Sequence, residues 1–232
     1  MPEHHPLQHT DSYTRALDLF SHTLGHSQFK RKPDVNAGML ALADRPGIER
    51  ANALVSEALA NAEKVWMTSD LHLNHGNIIG YCDRPYGSSE SMNQALLALL
   101  AKVEPQDLLV LVGDLAMGEF EAGLELIKQI PGRKILVLGN HDLDRSGRCR
   151  LLNQQGLGGR ALFEAIVPFL FWPGPAGRDV VVTHYPLSIP DTFRGAPILN
   201  YHGHLHRTVL PTTDQVKYMN VGWDVNYSLN CV

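Results

Sequence analysis

The chain has 232 residues, a formal net charge of -4 and a hydrophobic content of 44%. This length suits one large α/β domain with an appendage better than two full domains, and no apolar stretch is long enough to span a membrane. The slightly acidic balance gives no indication of a nucleic-acid partner, although a local basic groove for nucleic acid is compatible with it.

The cysteines of the chain, Cys82, Cys149 and Cys231, are widely spaced. Their spacing is not that of a disulfide framework or of a zinc ribbon, so we expect reduced thiols. The beginning of the chain has no apolar segment of the kind found in secretory signals. Together these features favour a cytoplasmic protein.

Residues 1–63 differ in composition from the rest and are predicted to form a helical extension. Residues 1–10 are rich in histidine and proline and are predicted to be a solvated terminus. A helix is predicted over residues 11–24, followed by a basic connector at residues 30–34 that is broken by proline. From residue 47, apolar residues recur at every third and fourth position, which indicates a further helix.

We expect this extension to pack either on the core of the protein or on a partner. In the second case it offers a surface for oligomerisation. No chemistry can be read from its residues.

The main domain is predicted over residues 64–232, and its first half alternates strands with helices. Such alternation favours a parallel sheet with right-handed crossovers. The predicted elements are a strand at 64–69, a helix capped by Ser88 or Ser89, a strand at 107–112, a helix at 119–130 and a strand at 133–138.

After Asn153 the pattern changes to strand-like segments that are joined by short turns rich in glycine and proline. This pattern predicts a second, more mixed sheet. Its strands are predicted at residues 162–171, 179–182, 198–202 and 216–221.

Polar residues that commonly bind metals follow five of the apolar runs in the main domain. Because each run is predicted to be a buried strand, each donor is expected at the carboxyl end of a strand, where open α/β sheets bind ligands. The runs at 64–69, 107–112, 133–138, 179–182 and 197–201 are followed by Asp70 and His72, by Asp114, by Asn140, by His184, and by His204 and His206.

The spacing of these donors indicates two metal ions. Residues two apart on an extended strand end point to the same side, so Asp70 and His72 can reach one ion, as can His204 and His206. Asp114 stands alone with two oxygens and suits a bridging position. Carboxylate, amide and imidazole donors together accept Mn, Fe, Zn, Ni or Mg ions, of which Mn is favoured.

Two such ions form a clamp that holds a phosphoryl group and generates hydroxide at neutral pH, as the hydrolysis of phosphate esters requires. The expected nucleophile is therefore a metal-bound hydroxide. His141, beside Asn140, is expected to serve the leaving oxygen. Asp142 is expected to orient His141 or to raise its pKa.

Three further residues are weaker candidates for substrate contacts. His75 and Asn77 follow the first donor pair closely, but their polarity also suits the start of a helix. Arg84 could neutralise a phosphate, but it could equally be an ordinary surface arginine.

The motifs Asp70-Leu71-His72, Gly113-Asp114, Gly139-Asn140-His141-Asp142 and Gly203-His204-Leu205-His206, with His184, resemble those of the calcineurin-like metallophosphoesterase superfamily. The resemblance covers about residues 65–226. Within the superfamily, residues 69–79 and the step Arg84-Pro85-Tyr86 resemble a small bacterial and phage group of predicted phosphoesterases.

The resemblance implies a four-layer α/β sandwich of two mixed β-sheets flanked by helices. It also implies that His141 is the catalytic histidine, which stabilises the transition state or protonates the leaving group. The ligands it implies are Asp70, His72, Asp114 and His206 for the first metal, and Asp114, Asn140, His184 and His204 for the second.

One departure from the superfamily pattern bears on the substrate. Protein serine/threonine phosphatases of the superfamily have an arginine after their Gly-Asp motif, but residues 113–118 of this chain contain none. The sequence therefore disfavours a phosphoprotein phosphatase and favours a phosphodiesterase, with a small phosphomonoesterase as the alternative enzyme. The expected substrate is a small phosphate ester or a nucleotide-type molecule. The alternative from another class is a non-catalytic protein-binding module with the same fold.

Overall fold

The structure of the protein, a computed structural model, describes residues 11–26 and 33–231. The predicted solvated terminus at residues 1–10 and residues 30–32 of the predicted connector lie outside these ranges. Within the described residues, no helix is both long enough and apolar enough to cross a membrane. The cysteines are free, as the sequence predicts.

The first sheet has five strands in the order β4-β3-β2-β1-β9. The strands β1 to β4 are parallel, and β9 pairs antiparallel with β1. All residues of β2 are buried, which is typical of a strand covered on both faces. The predicted parallel arrangement is therefore confirmed. The strands are β1 (Val65–Thr68), β2 (Leu108–Leu111), β3 (Arg133–Val137), β4 (Ala165–Val167) and β9 (Asn230–Cys231).

The second sheet has four strands in the order β5-β6-β7-β8. The strands β6, β7 and β8 are parallel, and β5 runs antiparallel to β6. The second mixed sheet predicted from the sequence is thus present, and with the first it gives the expected α/β sandwich. The strands are β5 (Phe169–Pro173), β6 (Asp179–Thr183), β7 (Ile198–His202) and β8 (Val216–Asn220).

The prediction of one strand over residues 162–171 is wrong. That stretch contains β4, which belongs to the first sheet, and the beginning of β5, which belongs to the second. Pro168 lies between them. Proline has no amide N–H to donate to a sheet, so the chain leaves one sheet at this residue and enters the other.

The helices of the main domain include the two that the sequence predicts. The helix α5 begins after Ser88, whose side chain accepts a hydrogen bond from the Ser91 N–H and caps the helix. The short helices α4 and α7 and a 3-10 turn at Pro175–Gly177 were not predicted. The helices are α4 (Gly76–Tyr81), α5 (Ser89–Leu100), α6 (Phe120–Lys128) and α7 (Trp223–Asn226).

The described part of the N-terminal extension packs on the core of the protein. Phe20, Met39, Ile48 and Val55 are buried in the same apolar cluster as the strands of the first sheet. Asp11 and Asp44 cap the first and last of its helices, as their side chains accept hydrogen bonds from the first turns. Its helices are α1 (Ser12–Gly25), α2 (Pro33–Ala41) and α3 (Arg45–Ala60).

The helix α2 is a correction to the predicted connector at residues 30–34, because the chain is already helical at Pro33. Proline is well tolerated in the first turn, where its missing N–H has no partner in any helix. The backbone of α2 lies directly against the loop after β3. A Cβ atom on Gly38 would clash with the carbonyl of Gly147, and one on Gly147 would clash with the carbonyl of Asp34. Only glycine at both positions permits this approach.

Candidate metal centre

The predicted donors from both sheets meet at one edge of the sandwich. Asp70, Asp114 and Asn140 follow the carboxyl ends of β1, β2 and β3 in the first sheet. His184 and His204 follow those of β6 and β7 in the second. The sheets are held together here, because the carboxylate of Asp70 accepts a hydrogen bond of 2.9 Å from the backbone N–H of His204.

One donor set consists of Asp70, His72 and His206. A ligand atom from each lies within 4.8 Å of the other two. His72 Nε2 lies 3.9 Å from Asp70 Oδ1 and 3.8 Å from Asp114 Oδ2. These distances leave room for a cation between the side chains.

A second donor set consists of Asp114, His184 and His204, again with ligand atoms within 4.8 Å of one another. His184 Nε2 lies 3.3 Å from Asp114 Oδ2. The same oxygen therefore faces a histidine of each set, which is the position that a bridging ligand requires.

Several donor atoms at this edge are buried without a hydrogen bond to any residue that the structure describes. Leaving such an atom unsatisfied costs about 1–3 kcal/mol, so a native fold rarely contains several together without a ligand. Divalent cations fit the donor set, because carboxylate, amide and imidazole groups can all coordinate them. The unsatisfied atoms are Asp70 Oδ1, His72 Nδ1 and Nε2, Asn140 Oδ1 and His184 Nε2.

The backbone at this edge is strained. Five donor residues have left-handed backbone conformations, which cost a residue with a side chain about 1–3 kcal/mol each. Strain concentrated in this way is typical of functional sites, where the surrounding structure enforces a geometry that the ligand needs. The φ angles are 57° at Asp70, 49° at His72, 56° at Asp114, 65° at His204 and 49° at His206.

Hydrogen bonds fix the orientation of two of the imidazoles. The carbonyl of Val112 accepts a hydrogen bond of 2.8 Å from His184 Nδ1, and Asp224 Oδ2 accepts one of the same length from His206 Nδ1. We assign these tautomers from their acceptors, which leave Nε2 of each ring available to a cation.

The charges at this edge suit a cation. Burial lowers the pKa of His72 and of His204 to about 3, so both are neutral at pH 7, which is the form that binds metals. Burial raises the pKa of Asp70. Burial would also raise the pKa of Asp114, but the charge of His184 beside it holds the pKa well below its usual value. Two buried carboxylates thus face each other across the donor sets.

Arg84 does not occupy the predicted position facing a substrate phosphate. Its side chain has 0% exposure, and its Nε and Nη2 atoms donate hydrogen bonds of 2.7 and 2.9 Å to Asp224. The remaining donors reach the carbonyls of Asp70 and Leu71. The prediction of a phosphate contact is therefore wrong, because the guanidinium is fully committed inside the protein. Arg84 instead supports the backbone of the first donor pair.

Asp224 belongs to the candidate site by its contacts, although the sequence analysis does not include it. It links Arg84 to His206, and thereby orients a metal donor from behind. Burial would raise its pKa, but the hydrogen bonds from His206 and Arg84 lower it to about 2. A signal was available in the sequence, since Asp224 follows the end of β8 as the other donors follow theirs.

Asp142 is held by the backbone of two loops. Its carboxylate accepts hydrogen bonds from the backbone N–H groups of Asp114 at 2.9 Å, Leu115 at 3.1 Å and Gly139 at 2.7 Å. Burial and the charge of Asp114 raise its pKa to about 6. Asp142 therefore joins the loop after β2 to the loop after β3 and positions Asp114. Its predicted effect on the orientation or the pKa of His141 stays a prediction.

His141 lies at the mouth of the site. Its side chain is 33% exposed, and its Nε2 lies 4.0 Å from Asp114 Oδ2. Its backbone N–H donates a hydrogen bond of 2.8 Å to Asp114 Oδ1. The imidazole is thus accessible to a bound molecule and close to the shared carboxylate.

Of the two remaining weak candidates, His75 lies beside the first donor set. The ring of His75 is 5.3 Å from that of His72, and burial lowers its pKa. Asn77 is exposed on α4. A substrate contact stays a prediction for both.

Replacing Asp224 with asparagine is expected to weaken metal binding by about 10–100-fold, the usual effect of losing a carboxylate behind a metal-bound histidine. Titration calorimetry with Mn²⁺ measures the effect. Asp107→Asn is the matched control, because Asp107 is also buried and hydrogen-bonded, to Trp66 Nε1, but lies at the amino end of β2. Equal Mn²⁺ affinities for folded Asp224→Asn and for the unmodified protein would refute the positioning role.

Comparisons with known proteins agree with this geometry. A family model described as calcineurin-like phosphoesterase matches residues 63–228. An uncharacterised protein of Methanocaldococcus jannaschii, MJ1445, is 37% identical over 82 residues, which are 34% of this chain and 47% of that protein. The match thus spans about half the length of that relative. The Gene 66 protein of Mycobacterium phage D29 is 27% identical over 188 residues, which are 71% of this chain and 90% of the phage protein.

A solved structure shares the fold. The crystal structure of AQ665, a protein of unknown function from Aquifex aeolicus, superimposes with a TM-score of 0.53 at 24% identity. The superposition covers 73% of this chain and 95% of that one.

Proposed function

Because the chain belongs to the calcineurin-like phosphoesterase family, we propose that this metal-dependent phosphoesterase is a dinuclear phosphodiesterase. The single observation that supports the proposal most is the pair of donor sets around Asp114, with unsatisfied buried donor atoms in both. A protein-binding module with this fold has no need of buried, strained donors or of an accessible His141.

Asp70, His72 and His206 would hold one divalent ion, and His184, His204 and Asn140 the other, with Asp114 shared between them. Bound there, the ions supply charge neutralisation for the phosphoryl oxygens and lower the pKa of water so that it can attack at neutral pH. We favour Mn²⁺ because the donors mix carboxylate and amide oxygens with imidazole nitrogens.

His141 acts on the leaving group in this proposal. Its accessible imidazole holds a proton at Nε2 and donates it to the ester oxygen as the bond to phosphorus breaks. The hydrogen bond from its backbone N–H to Asp114 keeps the residue at a fixed distance from the donor sets. Asp142 in turn holds the loops that contain Asp114 and His141.

We infer the preference for a diester from the lack of an arginine at the donor sets that could bind a phosphomonoester dianion. A phosphomonoester dianion has an additional charged oxygen, which such enzymes commonly bind with an arginine. Residues 113–118 contain no arginine, the guanidinium of Arg84 is committed to Asp224, and Arg145 lines a cleft beside His141 rather than belonging to either donor set. A diester, with one negative charge, needs no such partner.

A substrate screen tests the proposal. The protein is stripped of metal by chelation and restored separately with Mn²⁺, Fe²⁺, Zn²⁺, Ni²⁺ or Mg²⁺. Each form is assayed with bis(p-nitrophenyl) phosphate and with p-nitrophenyl phosphate, which release the same chromophore. We expect kcat/KM for the diester to exceed that for the monoester by about tenfold or more, with Mn²⁺ giving the highest value.

Two results of this screen would contradict the proposal. A preference for the monoester would make the protein a phosphomonoesterase. Turnover of neither ester with any of the metals would argue against hydrolysis and for a binding module.

A further inference from the structure

We propose that a cleft beside His141, walled in part by the N-terminal extension, binds the leaving group of the diester, and that Arg145 recognises an anionic group on it. This inference rests on the proposed function and adds the class of substrate. It concerns residues outside both donor sets.

The cleft consists of two adjoining cavities of about 400 and 490 Å³. Each is in the range of small-molecule binding sites. His141 lines both, so the cleft begins at the residue that serves the leaving oxygen. The residues that line both cavities are Met117, His141, Leu143, Asp144 and Arg145.

The larger part of the lining is apolar. Phe120, Leu124 and Ile127 of α6 line the first cavity. Pro33 and Val35 of α2 line the second. An alcohol with an apolar or aromatic body would bury its surface here, at about 25 cal/mol for each Å² removed from water, whereas a small alcohol would leave the cleft unfilled.

The extension is part of this site because α2 is held in place by a close backbone contact. Gly38 and Gly147 approach so closely that neither position has space for a Cβ atom. Gly147 belongs to the same loop as Asp144 and Arg145. The wall formed by α2 and the loop with Arg145 therefore have a fixed relation to each other.

Arg145 is the cation in the cleft that is available to a ligand. Its exposed guanidinium makes no hydrogen bond or ion pair with the residues described here. The carboxylate of Asp144 is already paired with Arg148 at 3.2 Å and accepts hydrogen bonds from Ser146. Arg150, the other arginine of the lining, lies 3.8 Å over the ring of Phe120.

Because the cleft also contains acidic residues, the binding of an anion there depends on Arg145. The acidic residue Glu119 lines the first cavity, and Asp34 lines the second. Without Arg145 these charges would repel an anion, because little cationic charge remains unpaired nearby. The substrate class is therefore a phosphodiester whose leaving alcohol has an apolar or aromatic body and an anionic group remote from the ester oxygen.

Matched fluorogenic esters test the inference. The substrates are the methyl phosphodiester of umbelliferone and that of its carboxylated analogue, in which a carboxylate lies at the end of the ring system remote from the ester oxygen. The measured quantity is the ratio of kcat/KM for the carboxylated ester to that for the neutral ester. We expect Arg145→Ala to lower this ratio by about tenfold or more, as the loss of a charge-assisted hydrogen bond requires.

Arg160→Ala is the matched control, because Arg160 is also exposed, lines neither cavity, and its side chain pairs with none of the residues that the structure describes. It should leave the ratio within about twofold of that of the unmodified protein. An unchanged ratio in Arg145→Ala, or an equal fall in both variants, would overturn the inference.

Direct binding separates failure of the inference from failure of the proposed function. The free carboxylated umbelliferone is titrated by fluorescence against the metal-loaded protein, with umbelliferone itself as the comparison. Arg145→Ala should raise its Kd by about tenfold. If both esters are hydrolysed but neither the ratio nor the Kd depends on Arg145, the inference fails and the function stands. If neither ester is hydrolysed but the Kd depends on Arg145, the phosphodiesterase proposal fails and the anion site stands.

Discussion

Replacing Asp114 with alanine is expected to abolish metal binding at both donor sets and to lower kcat/KM by roughly 1000-fold or more. Its Oδ2 atom faces His72 of one set and His184 of the other, at 3.8 and 3.3 Å. Removing it takes away the carboxylate that the two sets share. Metal content after dialysis, measured by mass spectrometry, and turnover of bis(p-nitrophenyl) phosphate test the prediction together.

Thermal unfolding of the metal-free proteins is the control for this substitution. Burial, and to a smaller extent the charge of Asp114, raises the pKa of Asp70. Asp114→Ala ends the repulsion between the two carboxylates, but it also removes the partner of His184 and the acceptor of the His141 backbone N–H. The metal-free variant should therefore be less stable than the metal-free unmodified protein, but it should still be folded at the assay temperature. A loss of metal then reflects the missing ligand rather than unfolding. Full metal content in Asp114→Ala would refute the bridging role.

Replacing His141 with alanine is expected to leave both metals bound and to lower kcat by about 100- to 10,000-fold, the range for a general acid. The imidazole is partly exposed and belongs to neither donor set. The hydrogen bond to Asp114 comes from the backbone N–H and persists in the variant. Steady-state kinetics and metal analysis of the same sample measure the two effects.

The leaving group distinguishes a proton donor from a residue that only shapes the site. A phenolate leaves less readily than a p-nitrophenolate and depends more on protonation. We therefore expect a larger loss in His141→Ala with the phenyl ester than with the p-nitrophenyl ester. Equal losses with the two esters would contradict proton donation, and undiminished turnover would remove His141 from the mechanism.

The sequence predicts which residues come together within one sheet, because parallel strands bring their carboxyl ends to one edge. Asp70 and Asp114 meet for this reason, whereas His206 follows β7 of the second sheet and meets Asp70 because the two sheets pack together. The contacts that hold the donors in place, by contrast, cannot be predicted from the positions of the strand ends. The pairing of Arg84 with Asp224 joins residues 140 positions apart, and the role of Asp142 depends on which backbone N–H groups its carboxylate meets. Neither the partner nor the burial of these side chains can be read from local pattern.

In the fold as well, the elements with a strong local pattern are predicted correctly, whereas the elements that depend on tertiary contacts are not. The strands β1 to β3 and the helices α5 and α6 have strong apolar patterns, and the predictions for them are confirmed. The strand β9 is only two residues long and exists through its pairing with β1. The helix α2 is held by the contact between Gly38 and Gly147, which a one-dimensional pattern does not reveal.

Anomalous X-ray scattering from crystals grown with Mn²⁺ tests the central claim most directly. The account predicts two anomalous peaks at the edge where the sheets meet. One should lie within coordination distance, about 2.0–2.3 Å, of Asp70, His72 and His206, the other of His184, His204 and Asn140, with Asp114 reaching both. The absence of a peak among these side chains in Mn²⁺-containing crystals, or a single ion that does not touch Asp114, would contradict it.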